Sequence, residues 1–221
     1  MPRNTFKAPS KTSRKKKLKG EAKQNQRITK LEKLIIPAIE RKSYDQVNTA
    51  WTVSSSGRAN YPMFRLEQGD NFNQRTGDKV TIMSHQVSLT AAAQDTTNSI
   101  RLLFVVCPSN QVLGIDNVLE YGNYSTDGDL VFSSLYQRKA VTNEATYKVL
   151  FDKVYHFEAD RRLITDKFQL KLGKHGKQVS FNTTGLDQPE NYQLIMMAIS
   201  DSTASPDPAL NVVVRTKYID L

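Results

Sequence analysis

The chain has 221 residues, a net charge of +9 and one cysteine, Cys107. A single cysteine excludes an internal disulfide framework and a zinc site built from several cysteines. No segment approaches the roughly 18 uninterrupted apolar residues of a membrane-spanning helix, and the N-terminus lacks the apolar stretch of a secretory signal. We therefore expect a protein of the cytosol or nucleus with one main folded domain.

The positive charge is concentrated at the N-terminus. Residues 1–42 contain 14 basic and 3 acidic residues, a net charge of +11, whereas residues 43–221 contain 17 basic and 19 acidic residues, a net charge of −2. Like charges at this density repel one another and cannot form a core, so residues 1–23 are predicted to be a disordered basic arm. Such an arm binds a polyanion, either nucleic acid phosphates or an acidic membrane face. The candidate nucleic-acid-binding residues are Arg3, Lys7, Lys11, Arg14, Lys15, Lys16, Lys17, Lys19, Lys23, Arg27 and Lys30.

The next segment has the periodicity of a helix. Between residues 24 and 42, apolar side chains recur at intervals of three and four from Ile28 and Leu31 to Ile39. This spacing predicts a basic amphipathic helix over residues 24–42, which Pro37 kinks or ends near Ile36. The helix either docks on the body or lines a nucleic acid cavity.

Beyond residue 43 the pattern is that of an all-β domain. Short runs rich in β-branched and aromatic residues alternate with turn residues, which predicts eight or nine strands packed as a two-sheet sandwich. A one-residue slip in the alternation between Met83 and Gln86 predicts a β-bulge. The predicted strands cover residues 52–55, 79–91, 100–107, 130–137, 146–157, 167–172, 178–181, 191–200 and 210–219.

The sequence contains no recognisable catalytic motif. His85, His156 and His175 are far apart in the chain, and no phosphate-binding glycine loop, dinucleotide fingerprint or nucleophile elbow occurs. We therefore expect no enzymatic activity and no small-molecule substrate. A second basic cluster in the body is either a phosphate contact or a solvated rim. Its members are Arg161, Arg162, Lys171, Lys174 and Lys177.

A motif at residues 68–85 carries a family resemblance. The segment reads Gln-Gly-Asp-Asn-Phe-Asn-Gln-Arg-Thr-Gly-Asp-Lys-Val-Thr-Ile-Met-Ser-His. It resembles the opening strand region of capsid proteins of the satellite tobacco necrosis virus group, and of related capsids of small circular single-stranded DNA viruses. Weaker similarity of pattern extends over most of residues 28–221.

The resemblance implies a fold, a function and a partner. The expected fold is a single jelly roll of two four-stranded antiparallel sheets over residues 43–221. Sixty copies would form a T=1 icosahedral shell, with the arm directed inward to a packaged single-stranded RNA or DNA genome. The protein would then be found in the virion and, during assembly, in the host cytoplasm or nucleus, with no membrane partner.

The resemblance also implies a possible calcium site at subunit contacts, although no cofactor is required. The matching positions are Glu40, the main-chain carbonyls of Thr76 and Lys79, and the carboxylate of Asp220. Carboxylate and carbonyl oxygens are suitable ligands for calcium. The alternative is salt bridges or a surface Asp, because Arg41 and Lys42 adjoin Glu40.

Two other readings of the chain remain open. A non-viral nucleic-acid-binding β-sandwich with a basic tail has the same charge distribution, and a carbohydrate-binding sandwich has the same strand pattern. The latter is expected to show a cluster of aromatic side chains, which the sequence does not reveal.

Overall fold

The computed structural model describes residues 21–28, 30, 41–60, 62–94, 98–108, 113–119, 135–136, 147–182, 187–202 and 205–220. The chain divides into two compact units, Met1–Glu40 and Arg41–Leu221. In the first unit, residues 21–28 and 30 are helical, so residues 21–23 belong to the helix and not to the predicted disordered arm. The described part of the second unit contains nine strands and one short 3-10 helix, Ile115–Asn117. The strands are β1 (Arg41–Thr52), β2 (Arg58–Asn60), β3 (Lys79–Ala92), β4 (Ser99–Cys107), β5 (Lys148–His156), β6 (Leu163–Leu170), β7 (Lys177–Ser180), β8 (Gln193–Ser200) and β9 (Ala209–Asp220).

The strands form two antiparallel sheets. The first has the order β1-β9-β3-β6, with β7 also paired to β3, and the second has the order β2-β8-β4-β5. Strands β6 and β7 pair with successive parts of β3, since His85 is opposite Leu170 and Ile82 is opposite Lys177. The first sheet therefore has five strands but only four strand positions.

The connections between the strands are those of a jelly roll. The chain crosses from one sheet to the other on passing from β1 to β2, from β2 to β3 and from β3 to β4. It crosses again from β5 to β6, from β7 to β8 and from β8 to β9. Two four-position sheets wound in this way define the jelly roll. The structure thus confirms the predicted all-β sandwich, with the last position of the first sheet divided between β6 and β7.

The two sheets enclose the main core, and the second sheet is also covered on its outer face. In β9, alternate residues from Leu210 to Tyr218 are buried, as the two-residue period of a strand requires. In β8, by contrast, every residue is buried. A second apolar cluster against the outside of the four-stranded sheet includes Ile115, Val118 and Leu119. The first sheet has no such cover among the described residues.

Most predicted strands are confirmed, and so is the bulge. Strands β3 to β9 overlap predicted runs, although β6 begins four residues before its predicted start, and the pairing of β3 with β9 shifts register between Ile82 and Ser84. The prediction of a strand at residues 52–55 was wrong, because β1 ends at Thr52. The predicted strand at 130–137 falls mostly outside the described residues, where only Leu135 and Tyr136 are described.

The predicted boundary between helix and body was wrong. The helix was expected to run from residue 24 to 42, but Arg41 and Lys42 begin β1, so the body starts two residues earlier. Residues 31–40, including Pro37, lie outside the described residues. Strand β1 was missed because polar side chains dominate it and its long pairing with β9 is a tertiary interaction. No helix in the described part of the chain has the length and hydropathy to span a membrane.

Candidate nucleic-acid interface

Three of the predicted phosphate-binding residues can be placed. Lys23, Arg27 and Lys30 are exposed residues of the helical segment. Their charges are therefore accessible to a polyanion, as phosphate neutralisation requires. The other eight candidates lie outside the described residues: Arg3, Lys7, Lys11, Arg14, Lys15, Lys16, Lys17 and Lys19.

The body begins with a buried lysine held in a group of oxygen atoms. Lys42 in β1 lies opposite Tyr218 in β9. Its ammonium group donates to the Gln74 carbonyl at 3.2 Å, the Thr76 hydroxyl at 3.3 Å and the Asp220 carboxylate at 3.2 Å. The side chains of Lys42 and Asp220 are 4% and 9% exposed. We call these four residues the Lys42 cage.

Asp220 is held in its charged form within this cage. Its carboxylate also accepts hydrogen bonds from the backbone N–H groups of Thr76 at 2.6 Å and Gly77 at 3.4 Å. Burial raises the pKa of Asp220, but the hydrogen bonds from Thr76, Lys42 and Gly77 outweigh burial and leave the pKa below its usual value. A charged, hydrogen-bonded Asp220 is the natural partner of the Lys42 ammonium.

The Lys42 cage does not fit a calcium ion. Calcium needs six to eight oxygen ligands, whereas Asp220 is surrounded by an ammonium group and two N–H donors. The Thr76 carbonyl, another predicted ligand, accepts a hydrogen bond from the Gln68 side chain at 3.3 Å. Lys79 begins β3, and Glu40 lies outside the described residues. Within the described ranges, no cluster of three His, Cys, Asp or Glu side chains is arranged to hold a metal. The structure therefore favours the salt bridge that was the alternative to calcium.

The motif at residues 68–85 holds a loop in place. Arg75 is fully buried, and its Nη1 donates to the Gly77 carbonyl at 2.6 Å and the Asp78 carboxylate at 3.1 Å. Its guanidinium also lies 4.3 Å from the centre of the Phe181 ring. The Gln74 side chain accepts the Asn71 N–H at 3.1 Å. These contacts fix the loop that supplies Gln74 and Thr76 to the Lys42 cage.

His85, the last residue of the motif, joins the two sheets. Its Nδ1 lies 2.7 Å from the Thr216 hydroxyl in β9, and its Nε2 lies 2.7 Å from the hydroxyl of Tyr192, just before β8. Complete burial lowers the pKa of His85 to about 3, so the ring is neutral. This histidine is a structural residue of the core and neither a metal ligand nor a general base.

The predicted second basic cluster is two separate groups. Arg161 and Arg162 precede β6, whereas Lys171, Lys174 and Lys177 follow it. The eight residues of β6 separate the groups by roughly 25 Å. Lys148, the first residue of β5, joins Lys171 and Lys177 around a pocket of about 420 Å³. Sequence reasoning missed Lys148, because β5 belongs to the other sheet and only the packing of the two sheets brings it near lysines more than 20 positions later.

The outer face of the five-stranded sheet is polar and open. One row across its strands contains Asp45, Arg215, Gln86 and Gln169. Arg215 forms two hydrogen bonds to the Asp45 carboxylate, at 2.8 and 2.7 Å. This exposed pair is neutral overall, but Lys217 in β9 and Lys167 in β6 are also exposed on this face, two positions from Arg215 and Gln169.

Comparisons with known proteins place the chain beside viral structures at low similarity. A chain of Desmodium yellow mottle tymovirus is similar in structure, with 11% sequence identity, a TM-score of 0.37 and coverage of 81% of this chain and 87% of that chain. The VP2 subviral particle of infectious bursal disease virus has 10% identity and a TM-score of 0.17, with coverage of 82% of this chain and 41% of that chain. The T=1 particles derived from the same virus give 8% identity, a TM-score of 0.17 and coverage of 82% and 40%. The chain thus spans about two fifths of the length of these two particle proteins. Neither the protein-family models nor the curated proteins give a match.

The folded body therefore belongs to the class of jelly-roll β-sandwiches, on the basis of its own sheet order and connections. The second defining feature of the chain is the cationic segment that precedes Arg41 in the sequence.

Proposed function

We propose that this protein is the capsid protein of a small virus. Sixty copies of the jelly roll form a T=1 icosahedral shell, and the basic arm packages a single-stranded genome inside it. The protein acts by assembly and charge neutralisation and catalyses no reaction. The observation that carries the proposal is the change of character at Arg41, where a strongly cationic segment leads into a jelly roll of nearly neutral net charge.

The charge distribution supports separate roles for arm and body. The segment before Arg41, with 12 basic and 3 acidic residues and a net charge of +9, binds phosphates through release of counterions and with little preference for sequence. Sixty such segments would supply about 540 positive charges, enough to neutralise on the order of 540 phosphates. The body from Arg41 onward has 19 basic and 19 acidic residues, so it has no net charge and does not repel its copies strongly at close contact.

Exposed apolar side chains on the body support self-association. Val47, Phe72 and Leu163 are 54%, 70% and 60% exposed, respectively. Val47 lies opposite Val213 on the open face of the five-stranded sheet, and Leu163 begins its edge strand β6. Contacts between subunits would remove these side chains from water, at roughly 25 cal/mol for each Å² of apolar surface buried.

The proposal is tested by the size and contents of the purified protein. The full chain is expected to sediment as a closed particle, and electron microscopy is expected to show shells of uniform diameter. Nucleic acid extracted from these shells is then treated with ribonuclease or deoxyribonuclease to identify the genome. A stable monomer in moderate salt with nucleic acid present would instead indicate the non-viral, basic-tailed nucleic-acid-binding sandwich.

A further inference from the structure

A pocket with a basic rim opens at one end of the sandwich. Its floor includes the partly buried side chains of Val106, Leu150 and Leu172. Three exposed lysines, Lys148, Lys171 and Lys177, line it from β5, the loop after β6 and the start of β7. The volume of about 420 Å³ lies within the range of pockets that hold small organic ligands.

The charge around the pocket is of one sign. Among the described residues that line it, three are lysines and none is acidic. Cys107, which also lines the pocket, donates to the Gln193 side chain at 3.6 Å, and burial raises the pKa of this thiol to about 11. The thiol therefore stays neutral and adds no negative charge. Three ammonium groups above an apolar floor match a ligand with an anionic group attached to a flat, weakly polar ring.

The pocket lies at the same end of the sandwich as the first residues of β1. Across the first sheet, Lys42 is opposite Tyr218, Tyr218 is opposite Ile82, and Ile82 is opposite Lys177. Three strand spacings of about 4.8 Å place Lys177 roughly 14 Å from Lys42. Arg41, the first residue of the body, is adjacent to Lys42 in β1. The first residues of the body and the pocket therefore lie at the same end of the sandwich.

We propose that this pocket binds a single nucleotide of the packaged strand, with the phosphate on Lys148, Lys171 and Lys177 and the base over Val106, Leu150 and Leu172. The inference rests on the proposed function and adds a defined contact on the body to the diffuse contacts of the arm. A single-stranded polymer suits the pocket, because an unpaired base can leave its neighbours and enter a cavity. Sequence preference is small, since any base has an apolar face.

Binding of free nucleotide to the full chain tests the proposal. We expect uridine 5′-monophosphate, measured by titration calorimetry, to bind at least ten-fold more weakly to K148Q/K171Q/K177Q than to the parent protein. The control K167Q/K217Q/R162Q removes the same charge at exposed positions outside the pocket and is expected to change binding less than two-fold. The variant K148R/K171R/K177R keeps the charge and is expected to keep most of the binding. Thermal unfolding checks that all three variants are folded.

Two further ligands separate the contributions of phosphate and base. Uridine, which lacks the phosphate, and inorganic phosphate, which lacks the base, are each expected to bind at least ten-fold more weakly than uridine 5′-monophosphate. Equal weakening in the pocket and control variants, or inorganic phosphate binding as tightly as the nucleotide, overturns the proposal. Particle formation and genome content are measured separately, so a pocket that fails to bind leaves the proposed function standing.

Discussion

The ammonium group of Lys42 lies 3.2 Å from the carboxylate of Asp220, and this contact joins the first strand of the jelly roll to the last. The two residues are 178 positions apart in the chain. The loop at residues 74–77 completes the cage by placing the Gln74 carbonyl and the Thr76 hydroxyl on the same ammonium group. The junction between the cationic segment and the body is therefore fixed by a buried ion pair.

Removal of either charge from this pair is expected to destabilise the body. Lys42→Met leaves the carboxylate of Asp220 buried without its cation, which typically costs about 3–5 kcal/mol. The double variant Lys42→Met/Asp220→Asn is expected to lose less than the sum of the two single variants, because neither charge is then left alone. Urea unfolding of the full chain measures these free energies.

The exposed pair of Arg215 and Asp45 is the matched control. These side chains are 54% and 38% exposed, and solvent screens their interaction. Arg215→Met is expected to lower the free energy of unfolding much less than Lys42→Met does. If Lys42→Met and Arg215→Met lowered the free energy of unfolding equally, burial of the Lys42 cage would have no energetic consequence.

Calcium is expected to leave the stability of the protein unchanged. The Lys42 ammonium already occupies the oxygen atoms of Gln74, Thr76 and Asp220. A cation at this place would have to displace another positive charge. Thermal unfolding in millimolar calcium and in excess chelator should therefore give the same midpoint. A midpoint several degrees higher in calcium would contradict this interpretation of the cage.

Acid is expected to destabilise the body through His85. Burial lowers the pKa of this residue to about 3, compared with about 6.5 in the unfolded chain. Between these values the unfolded chain binds a proton that the native state does not, so stability is complete above pH 6.5 and falls as the pH decreases towards 3. At about 1.4 kcal/mol per pH unit, the loss between pH 6.5 and pH 5 is about 2 kcal/mol.

The free energy of unfolding as a function of pH measures this effect. His85→Gln removes the titrating group and should flatten the slope between pH 5 and 6.5, although lost hydrogen bonds to Thr216 and Tyr192 lower stability at every pH. His175→Gln, at an exposed loop position, should keep the slope of the parent protein. A slope that persists in His85→Gln but disappears in His175→Gln would contradict the assignment of this titration to His85.

The all-β sandwich was predictable because local patterns specify it. In β9, alternate apolar residues from Leu210 to Tyr218 match the period of a strand, and they are the residues buried in the core. Strand β1 is different, because its sequence from Arg41 to Thr52 is mainly polar and its position depends on pairing with β9. Lys42 and Trp51 are its only buried residues, so neither face of the strand has the apolar alternation that a window of sequence could reveal.

The candidate site was less predictable than the fold. Asp220 was predicted as a calcium ligand because of its carboxylate. Its role depends on Lys42, which lies in the first strand of the body, far away in the sequence. Likewise, Lys148 lines one pocket with Lys171 and Lys177 because the two sheets of the sandwich pack against each other. The spacing of residues in the sequence shows which side chains are neighbours on one strand or helix. Each of these clusters, however, is formed by residues from several strands and loops. Charge segregation before Arg41 needed no tertiary information and was visible from composition alone.

Deletion of residues 2–23 is expected to abolish genome packaging and leave the sandwich folded. The deleted segment contains nine of the eleven candidate phosphate-binding residues, from Arg3 to Lys23, and the core residues that the structure describes all lie from Trp51 onward. Nucleic acid content is measured from the ratio of absorbance at 260 and 280 nm in purified particles, and the fold is checked by circular dichroism.

A charge-neutral replacement separates the effect of charge from that of length. In this variant the nine basic residues of the segment become Gln, so the arm keeps its length but loses its attraction for phosphate. Both the deletion and the replacement should yield particles or subunits without nucleic acid. Packaging that survives the replacement would mean that the body, including the lysine-rimmed pocket, holds the genome without the arm.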